Sequence, residues 1–386
     1  MVIVSCSSKL WGFTLSEQLD RHGLFDGLYT TYAYTKNTFL RRFVKRVDKE
    51  AIPVAKIHTN PLLAVPMKLS PAKVHTWNNY FDKWVAGQVL KSNSRVFVGW
   101  SGMSLHALRA AKKKGMMTVL ERGSTHIVQQ NAVLQEEYRR FGIDFSVHPD
   151  VITKELQEYD EADYIMVPSD FVKKTFIEKG FPGRKVIVNP FGAAHFFAPA
   201  AEGTPGKKKF IILYLGTLSI RKGLSYLFEA LNRLTIPAVD FEAWFIGSVE
   251  DALKPEIEKY KRENWKFFGH INHYDLPSYL SQCDVGVQVS LEEGLSMVIP
   301  QMMSSGLPVI ITPNTGGENI VRNEISGFVV PVRNIQAIVE KLELLYNDRG
   351  KLGNMKEAAR KDVSNGFTWN DYGDRYTAFL KDSGFK

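Results

Sequence analysis

Two adjacent cations, Arg221 and Lys222, follow the apolar run "FIILYLG" and the turn "TLSI", and they open a segment of helical period that ends near Leu234. At a strand end, a cationic pair beside the amides of a helix start suits an anion, and a phosphate above all. Further along, "SLEEGLSMVIPQMMSSGLPVI", Ser290 to Ile310, sets Glu292, Glu293 and Gly294 in a loop after the apolar run "DVGVQVS". A short apolar helix, Met297 to Ser305, is expected next. The amides of Leu295, Ser296 and Met297 at its start have no intrahelical acceptors and offer a second place for an anion. Pro300 fits such opening turns, where a missing N–H costs no hydrogen bond. No Asp-x-Asp pair occurs in the chain. A metal therefore has no evident ligands here, and fixed cations are the expected means of neutralising a phosphate.

Loops of this kind need strands to present them. With 386 residues, the chain suggests two domains at roughly 150 residues each. Hydrophobic residues at 44% and charged residues at 23% allow each domain its own core. From Val2 to about Pro190, "VIVSCS", "GLYTTYA", "RVFVGW", "MMTVLERG", "DYIMVPS" and "KVIVNP" alternate with helix-period segments, which implies parallel βαβ units. The small, basic, Gly/Pro-containing stretch "AAEGTPGKKK", Ala200 to Lys209, reads as a linker. After it the pattern restarts with "FIILYLG", "FEAWFIG", "WKFFGHI", "DVGVQVS", "LPVIITP" and "GFVVP". The fold class is therefore α/β, with a first domain over 1–199 and a second over 200–366. The aromatic-rich helix at 367–386 either packs locally or crosses back to brace the first domain.

The opening "MVIVSCSSKLWGF" reads as a strand and not a signal peptide. No apolar run approaches the roughly 20 residues needed to span a bilayer. Two cysteines, Cys6 and Cys283, give no disulfide framework and suit a reducing compartment, so a cytoplasmic protein is expected. The net charge of +8 points to anionic partners.

Taken in order, "YLGTLSIRKG", "FFGHI", "EEGLSMVIPQMMSSGLPVIIT" and "GGENIVRNEISGFVV" resemble the second domain of retaining glycosyltransferases of family four. The run "EADYIMVPSDFVKKTFIEKGFPGRKVIVNPFGAAHFF" resembles that family's approach to its linker. The resemblance covers Asp160 to Tyr376, and the residues before it follow the family in pattern alone. It implies a GT-B fold, two doubly wound Rossmann-like domains facing an interdomain cleft. It also implies a nucleotide diphosphate sugar as donor, with no further cofactor, and retention of anomeric configuration.

The resemblance assigns residues too. Lys222 stands at the family's diphosphate-binding lysine. Thr217, after Gly216, stands where the family often has an arginine, and Arg221 is expected to supply the missing charge. Glu293 matches a glutamate that resembles a ligand for the sugar hydroxyls, and Gln301 occupies the place of a second glutamate that binds the donor ribose. An amide offers one acceptor and two donors where a carboxylate accepts from both vicinal hydroxyls, so ribose binding is expected to be weaker or differently oriented. Glu292 has the wrong spacing to Gln301 and is read as rim charge. His270 and Ile271 are expected to meet the base through their main chain, and Gly294, Leu295, Ser296 and Met297 to meet the diphosphate.

On the first domain, Gly12 lies where the family often has paired glycines near the donor phosphate, with an ordinary turn as the alternative. In "ERGSTHIVQQ", Glu121 lies nearest the position where family members commonly have a histidine. His126 is a candidate to reach the sugar, with Arg122 as its rival and Ser124 as a helix cap. The segment "TKNTFLRRFVKRVDKE" reads as an amphipathic helix, 36–49. Phe39, Phe43, Val44 and Val47 share one face, and Arg41, Arg42, Lys45, Arg46 and Lys49 line another. It either lies on an anionic membrane or packs on the core with a solvated basic face. No nucleic-acid module accompanies the charge.

The chemistry expected is sugar transfer to an acceptor hydroxyl, on a glycan or lipid-linked glycan, at the membrane face. The alternatives are a sugar-nucleotide epimerase of similar build or a non-catalytic nucleotide-sugar-binding protein.

Overall fold

The computed structural model describes residues 1–8, 10–31, 52–60, 62–63, 67, 69–70, 73–197 and 209–384. The basic segment 36–49, with Arg41, Arg42, Lys45 and Arg46, lies outside the described residues, as does most of the linker stretch.

The first sheet is built from β1 (Val2–Ser5), β2 (Phe25–Thr30), β3 (Ile57–Thr59), β4 (Val96–Trp100), β5 (Met117–Glu121), β6 (Tyr164–Val167) and β7 (Val186–Val188). Its order is β3-β2-β1-β4-β5-β6-β7, and every pairing is parallel. The second sheet is built from β8 (Phe210–Leu215), β9 (Phe241–Ile246), β10 (Trp265–Gly269), β11 (Val285–Gln288), β12 (Val309–Ile311) and β13 (Gly327–Val329). Its order is β10-β9-β8-β11-β12-β13, again all parallel. Helices cover both faces, so the central strands are apolar throughout; all six residues of β8 and of β9 are buried. The expected strand runs all form strands. β3 is an addition: Ile57, His58 and Thr59 are half-buried or exposed at a sheet edge and carry no apolar run to betray them.

In each sheet the strand order reverses at one place, between β1 and β4 and between β8 and β11. Loops diverge there at the strand C-termini and leave a crevice. The loops carrying Arg221 and Glu293 are the two that leave β8 and β11.

The helix Trp369–Asp382 starts with a capping box between Thr368 and Asp371 and packs on the first sheet's side. Gln18 Nε2 donates to Asn370 Oδ1 at 3.3 Å, Arg375 Nε to Asn189 Oδ1 at 2.9 Å, and the Trp369 and Tyr372 rings lean on Phe191. The helix Ile127–Arg140 of the first domain crosses the other way. It buries Leu134 and Tyr138 among second-domain residues, each fully buried side chain of this size contributing about 1.5–3 kcal/mol. Glu137, fully enclosed on the same helix, accepts from Tyr226 Oη at 2.7 Å and from Arg333 Nε at 2.9 Å, and both donors belong to the second domain.

Candidate active site

The loop after β8 differs from expectation in one respect. Arg221 and Lys222 end a single 3-10 turn, Ile220–Lys222, and the α-helix begins beyond it at Leu224. Gly223 makes the joint with φ +71°, and a Cβ there would lie 2.2 Å from the Val289 carbonyl oxygen. That close approach brings the loop against the end of β11. Arg221 O accepts from Leu291 N at 2.9 Å, which fixes the two loops side by side.

The loop after β11 is held along its length. Thr312 Oγ1 donates to Ser290 O at 2.7 Å, Asn314 Nδ2 to Leu291 O at 2.7 Å, and Ser169 Oγ of the first domain to Gly294 O at 2.6 Å. The helix runs Val298–Ser304, with Pro300 in its first turn and Gln301 half-buried beside it. The three amides expected to face an anion are not equivalent. Ser296 N donates to Thr315 O at 2.9 Å and is spent. Leu295 and Met297 lie just before the helix, the first buried and the second half-buried.

The charged groups meet between these loops. Arg221 Nη1 donates to Glu292 Oε2 at 3.0 Å and Nη2 to Glu293 Oε1 at 3.1 Å, and Lys222 Nζ also donates to Glu293 Oε1. Side-chain exposure in this quartet is 1% for Glu292, 11% for Glu293 and 14% for Lys222, but 31% for Arg221, so three members are nearly dry and the guanidinium keeps a wet edge. Burial, then the neighbouring Arg221 guanidinium, pull the Lys222 ammonium down to about 7, and Glu292 pulls the other way. Gly216 and Thr217 lie at the end of β8, with Thr217 exposed and its carbonyl accepting from Tyr214 Oη at 2.8 Å. His270 is exposed and Ile271 half-buried after β10, where Gly247 N donates to Gly269 O at 2.8 Å. Among the described residues, no group of three or more His, Cys, Asp or Glu side chains could hold a metal ion.

Several first-domain expectations are corrected. His126, expected to reach toward a sugar, caps the helix Ile127–Arg140, its Nδ1 accepting from Val128 N. Its ring is 5.1 Å from Tyr159, 5.0 Å from Phe176 and 5.8 Å from Phe181. Burial, then Arg122 and Lys179, lower its pKa to about 4, and the imidazole is neutral and enclosed. Arg122 is equally buried: Nε and Nη2 donate to Thr125 O at 3.0 and 2.7 Å, and Nη1 pairs with Glu155 at 2.7 Å. Gly12, for which an ordinary turn is the alternative, begins the helix Gly12–Arg21, where a Cβ would lie 2.9 Å from Cys6 Cβ.

Glu292, read as rim charge, is 1% exposed and is gripped by Ser124 and Thr125. Ser124 is thereby a partner of Glu292 and not the helix cap. Sequence reasoning missed this because the donors to Glu292 lie 168 and 167 positions away.

Glu121 ends β5 fully buried, takes a 2.9 Å bond from Trp11 Nε1, and has its pKa raised by burial to about 8, with Trp11 and Tyr376 opposing. The folded chain keeps this proton where the unfolded chain has lost it. Stability from the group is therefore fully present below about pH 4.5 and lost as pH rises through about 8. Glu121→Gln, which keeps an acceptor for Trp11 and cannot ionise, should melt progressively higher than the unsubstituted protein as pH goes from 6 to 9. Parallel melting curves over that range would remove the effect from Glu121.

Two sheets of this order, facing across the loops of β8 and β11, match solved structures over nearly their whole length. Sucrose-phosphate synthase from Thermosynechococcus elongatus superposes with a TM-score of 0.76 at 16% identity, covering 99% of this chain and 98% of that one. The fold is GT-B. HepE from Anabaena, in complex with UDP and glucose, gives a TM-score of 0.68 at 15% identity over 99% of both chains. At these identities the likeness is one of GT-B architecture. Residues 199–362 match the family described as Glycosyl transferases group 1, so this domain type forms the half of the GT-B fold that carries Arg221, Lys222 and Glu293. Similar proteins include the capsular polysaccharide biosynthesis glycosyltransferase CapM of Staphylococcus aureus, 28% identical over 45% of this chain and 47% of that protein. Another is the UDP-Gal:alpha-D-GlcNAc-diphosphoundecaprenol alpha-1,3-galactosyltransferase of Escherichia coli, 33% identical over 47% of this chain and 50% of that protein. The chain spans about half the length of the curated relatives it matches.

Proposed function

We propose that this protein is a retaining, metal-independent glycosyltransferase that moves a sugar from a nucleotide diphosphate sugar to an acceptor hydroxyl. The observation that carries the reading is the meeting of Arg221 and Lys222 with Glu293 at the switch point of β8 and β11, with Gln301 on the adjoining helix. The group 1 match over the same residues supports it. Residues 200–366 take the donor. Residues 1–199, with the helix Trp369–Asp382, take the acceptor, a glycan or lipid-linked glycan on the cytoplasmic side of a membrane that the basic segment 36–49 would approach.

The quartet suggests how the donor enters. A diphosphate competes with Glu293 for Lys222 and Arg221; the displaced carboxylate then accepts from the sugar hydroxyls, and Gln301 meets the ribose. As the bond from the anomeric carbon to the diphosphate oxygen breaks, the two cations neutralise the charge gathering on the phosphate. The acceptor oxygen bonds the same face of that carbon, and its proton passes to the leaving phosphate oxygen.

Thermal shift with UDP-, GDP- and ADP-sugars identifies the donor. Transfer then requires free nucleotide diphosphate and glycosylated acceptor to appear together. An isomerised donor without nucleotide release would overturn the reading. With the donor known, Gln301→Glu should tighten its binding several-fold, because a carboxylate accepts from both ribose hydroxyls. Unchanged affinity and turnover would remove position 301 from the ribose.

A further inference from the structure

Glu292 has no capacity left for a substrate. Its Oε1 accepts from Ser124 Oγ at 2.5 Å, Thr125 N at 3.1 Å and Thr125 Oγ1 at 2.8 Å, all on the first domain. Its Oε2 accepts from Arg221 Nη1 at 3.0 Å on the second domain and from Gln130 Nε2 at 3.3 Å on the first. Five donors saturate a carboxylate that offers about four lone-pair sites. The group is 1% exposed, so water does not share in the arrangement. Burial by itself would raise the pKa of Glu292, but Arg221, Ser124 and Thr125 outweigh it and hold the carboxyl below its ordinary value.

Among the described residues, the helix Ile127–Arg140 packs against the turn of the cations, but the other side-chain hydrogen bonds across the seam end on different groups. Asn319 pairs with Asp170 at 2.6 and 2.9 Å, Ser169 holds the Gly294 carbonyl, and Glu137 holds Arg333. Glu292 differs because Oε1 is held by the facing domain alone, while Oε2 accepts from Arg221 and, at the longer distance, from Gln130. If the domains part, Oε1 loses its three first-domain donors together. The carboxylate is then free to turn toward Arg221 and Lys222 and draw them out of line. When the domains close, those donors pin it and leave Arg221 Nη2 aimed at Glu293.

We propose that Glu292 is a positioning residue that couples closure of the two domains to the orientation of Arg221 for the diphosphate. This rests on the reading of Arg221 as a diphosphate ligand, and the test separates the two. Spin labels at Lys113→Cys and Lys261→Cys, both exposed, report the interdomain distance, while Cys6 and Cys283 are buried and stay unlabelled. Two lesions are compared in the free protein. Glu292→Gln removes the charge, and because one end of an amide donates, it cannot serve both sides. Ser124→Ala with Thr125→Val removes both first-domain hydroxyls, which leaves Glu292 only the Thr125 amide and Gln130 on that side and keeps the pair with Arg221.

Both lesions should lengthen and broaden the distance distribution. Their effects on inorganic pyrophosphate should differ. Glu292→Gln makes the quartet more positive by one charge and should bind pyrophosphate several-fold more tightly, while the double variant, with charge unchanged, should not. Turnover should fall about a hundredfold in both. Tighter pyrophosphate binding with slower turnover is a split that a merely unstable protein would not give. Distances identical to those of the parent overturn the proposal whatever the turnover. So does Glu292→Gln that opens the domains yet weakens pyrophosphate binding. If the parent transfers no sugar but the distances and pyrophosphate affinities behave as stated, the coupling stands and the transferase reading fails.

Discussion

Lys222→Ala lowers the turnover of sugar transfer by about a hundredfold to a thousandfold, the range seen when one preorganised donor to a developing anion is removed. Lys222 lies in a nearly dry site, its side chain 14% exposed, where a cation acts on a leaving phosphate with little screening. Arg221 cannot replace it, because its guanidinium is already divided between Glu292 and Glu293. The substitution also strands Glu293, which loses one of its two cations. A fall in melting temperature is therefore expected beside the kinetic loss, and Lys222→Arg, which keeps a charge there, should recover stability before it recovers rate. The measurement is nucleotide diphosphate released per enzyme, with melting followed on the same samples. Near-normal turnover in Lys222→Ala would take this residue out of the diphosphate role.

Gly294→Ala should be almost as damaging to activity, about a hundredfold, for a mechanical reason. A Cβ at Gly294 would lie 2.1 Å from the Gly123 carbonyl oxygen and 2.9 Å from Pro168 Cγ, both on the facing domain. Neither neighbour can give way. Gly123 is itself pressed on the Trp11 ring, which a Cβ there would meet at 2.3 Å, and the Gly294 carbonyl is held by Ser169. The clash is relieved only by parting the domains. Each sheet keeps its own strands while parting exposes Leu134 and Tyr138, so some stability is lost, but the loss of turnover should be the larger effect.

Gly247→Ala makes the contrast. Its Cβ would lie 1.9 Å from the Gly216 carbonyl oxygen, and φ is +148°. That strain is internal to the second domain and cannot be relieved at the seam, so melting should suffer. Small-angle scattering on Gly294→Ala should give an expanded particle. An expanded particle with full turnover would mean that the closed seam is not the working state.

The strands were legible because helices cover both faces of each sheet, which leaves continuous apolar runs such as Phe210–Leu215 in the sequence. β3 was not, because an edge strand only half-buried has no apolar signature. Arg221 and Lys222 were legible as neighbours at a strand end, but their place on a 3-10 turn before Gly223 was not. At that joint the Val289 carbonyl comes close to Gly223, a contact between the loops that leave β8 and β11. The loop amides were read as equivalent, and the Thr315 carbonyl decided otherwise for Ser296.

By itself the sequence determined the alternation that builds two parallel sheets, and it put cations and carboxylates at the strand ends where such sheets open. Tertiary structure decided which polar groups face the cleft. His126 and Arg122 follow β5 closely, yet the rings of Tyr159, Phe176 and Phe181 enclose one, and Glu155 and the Thr125 carbonyl take the other. Glu292 and Glu293 are adjacent and chemically identical, yet the first is saturated by the facing domain and the second is left with the cations alone. The physical reason is range. Strand formation depends on near neighbours and the burial of a face, whereas the role of a charge depends on every donor within hydrogen-bonding distance, and for Glu292 those come from across the chain.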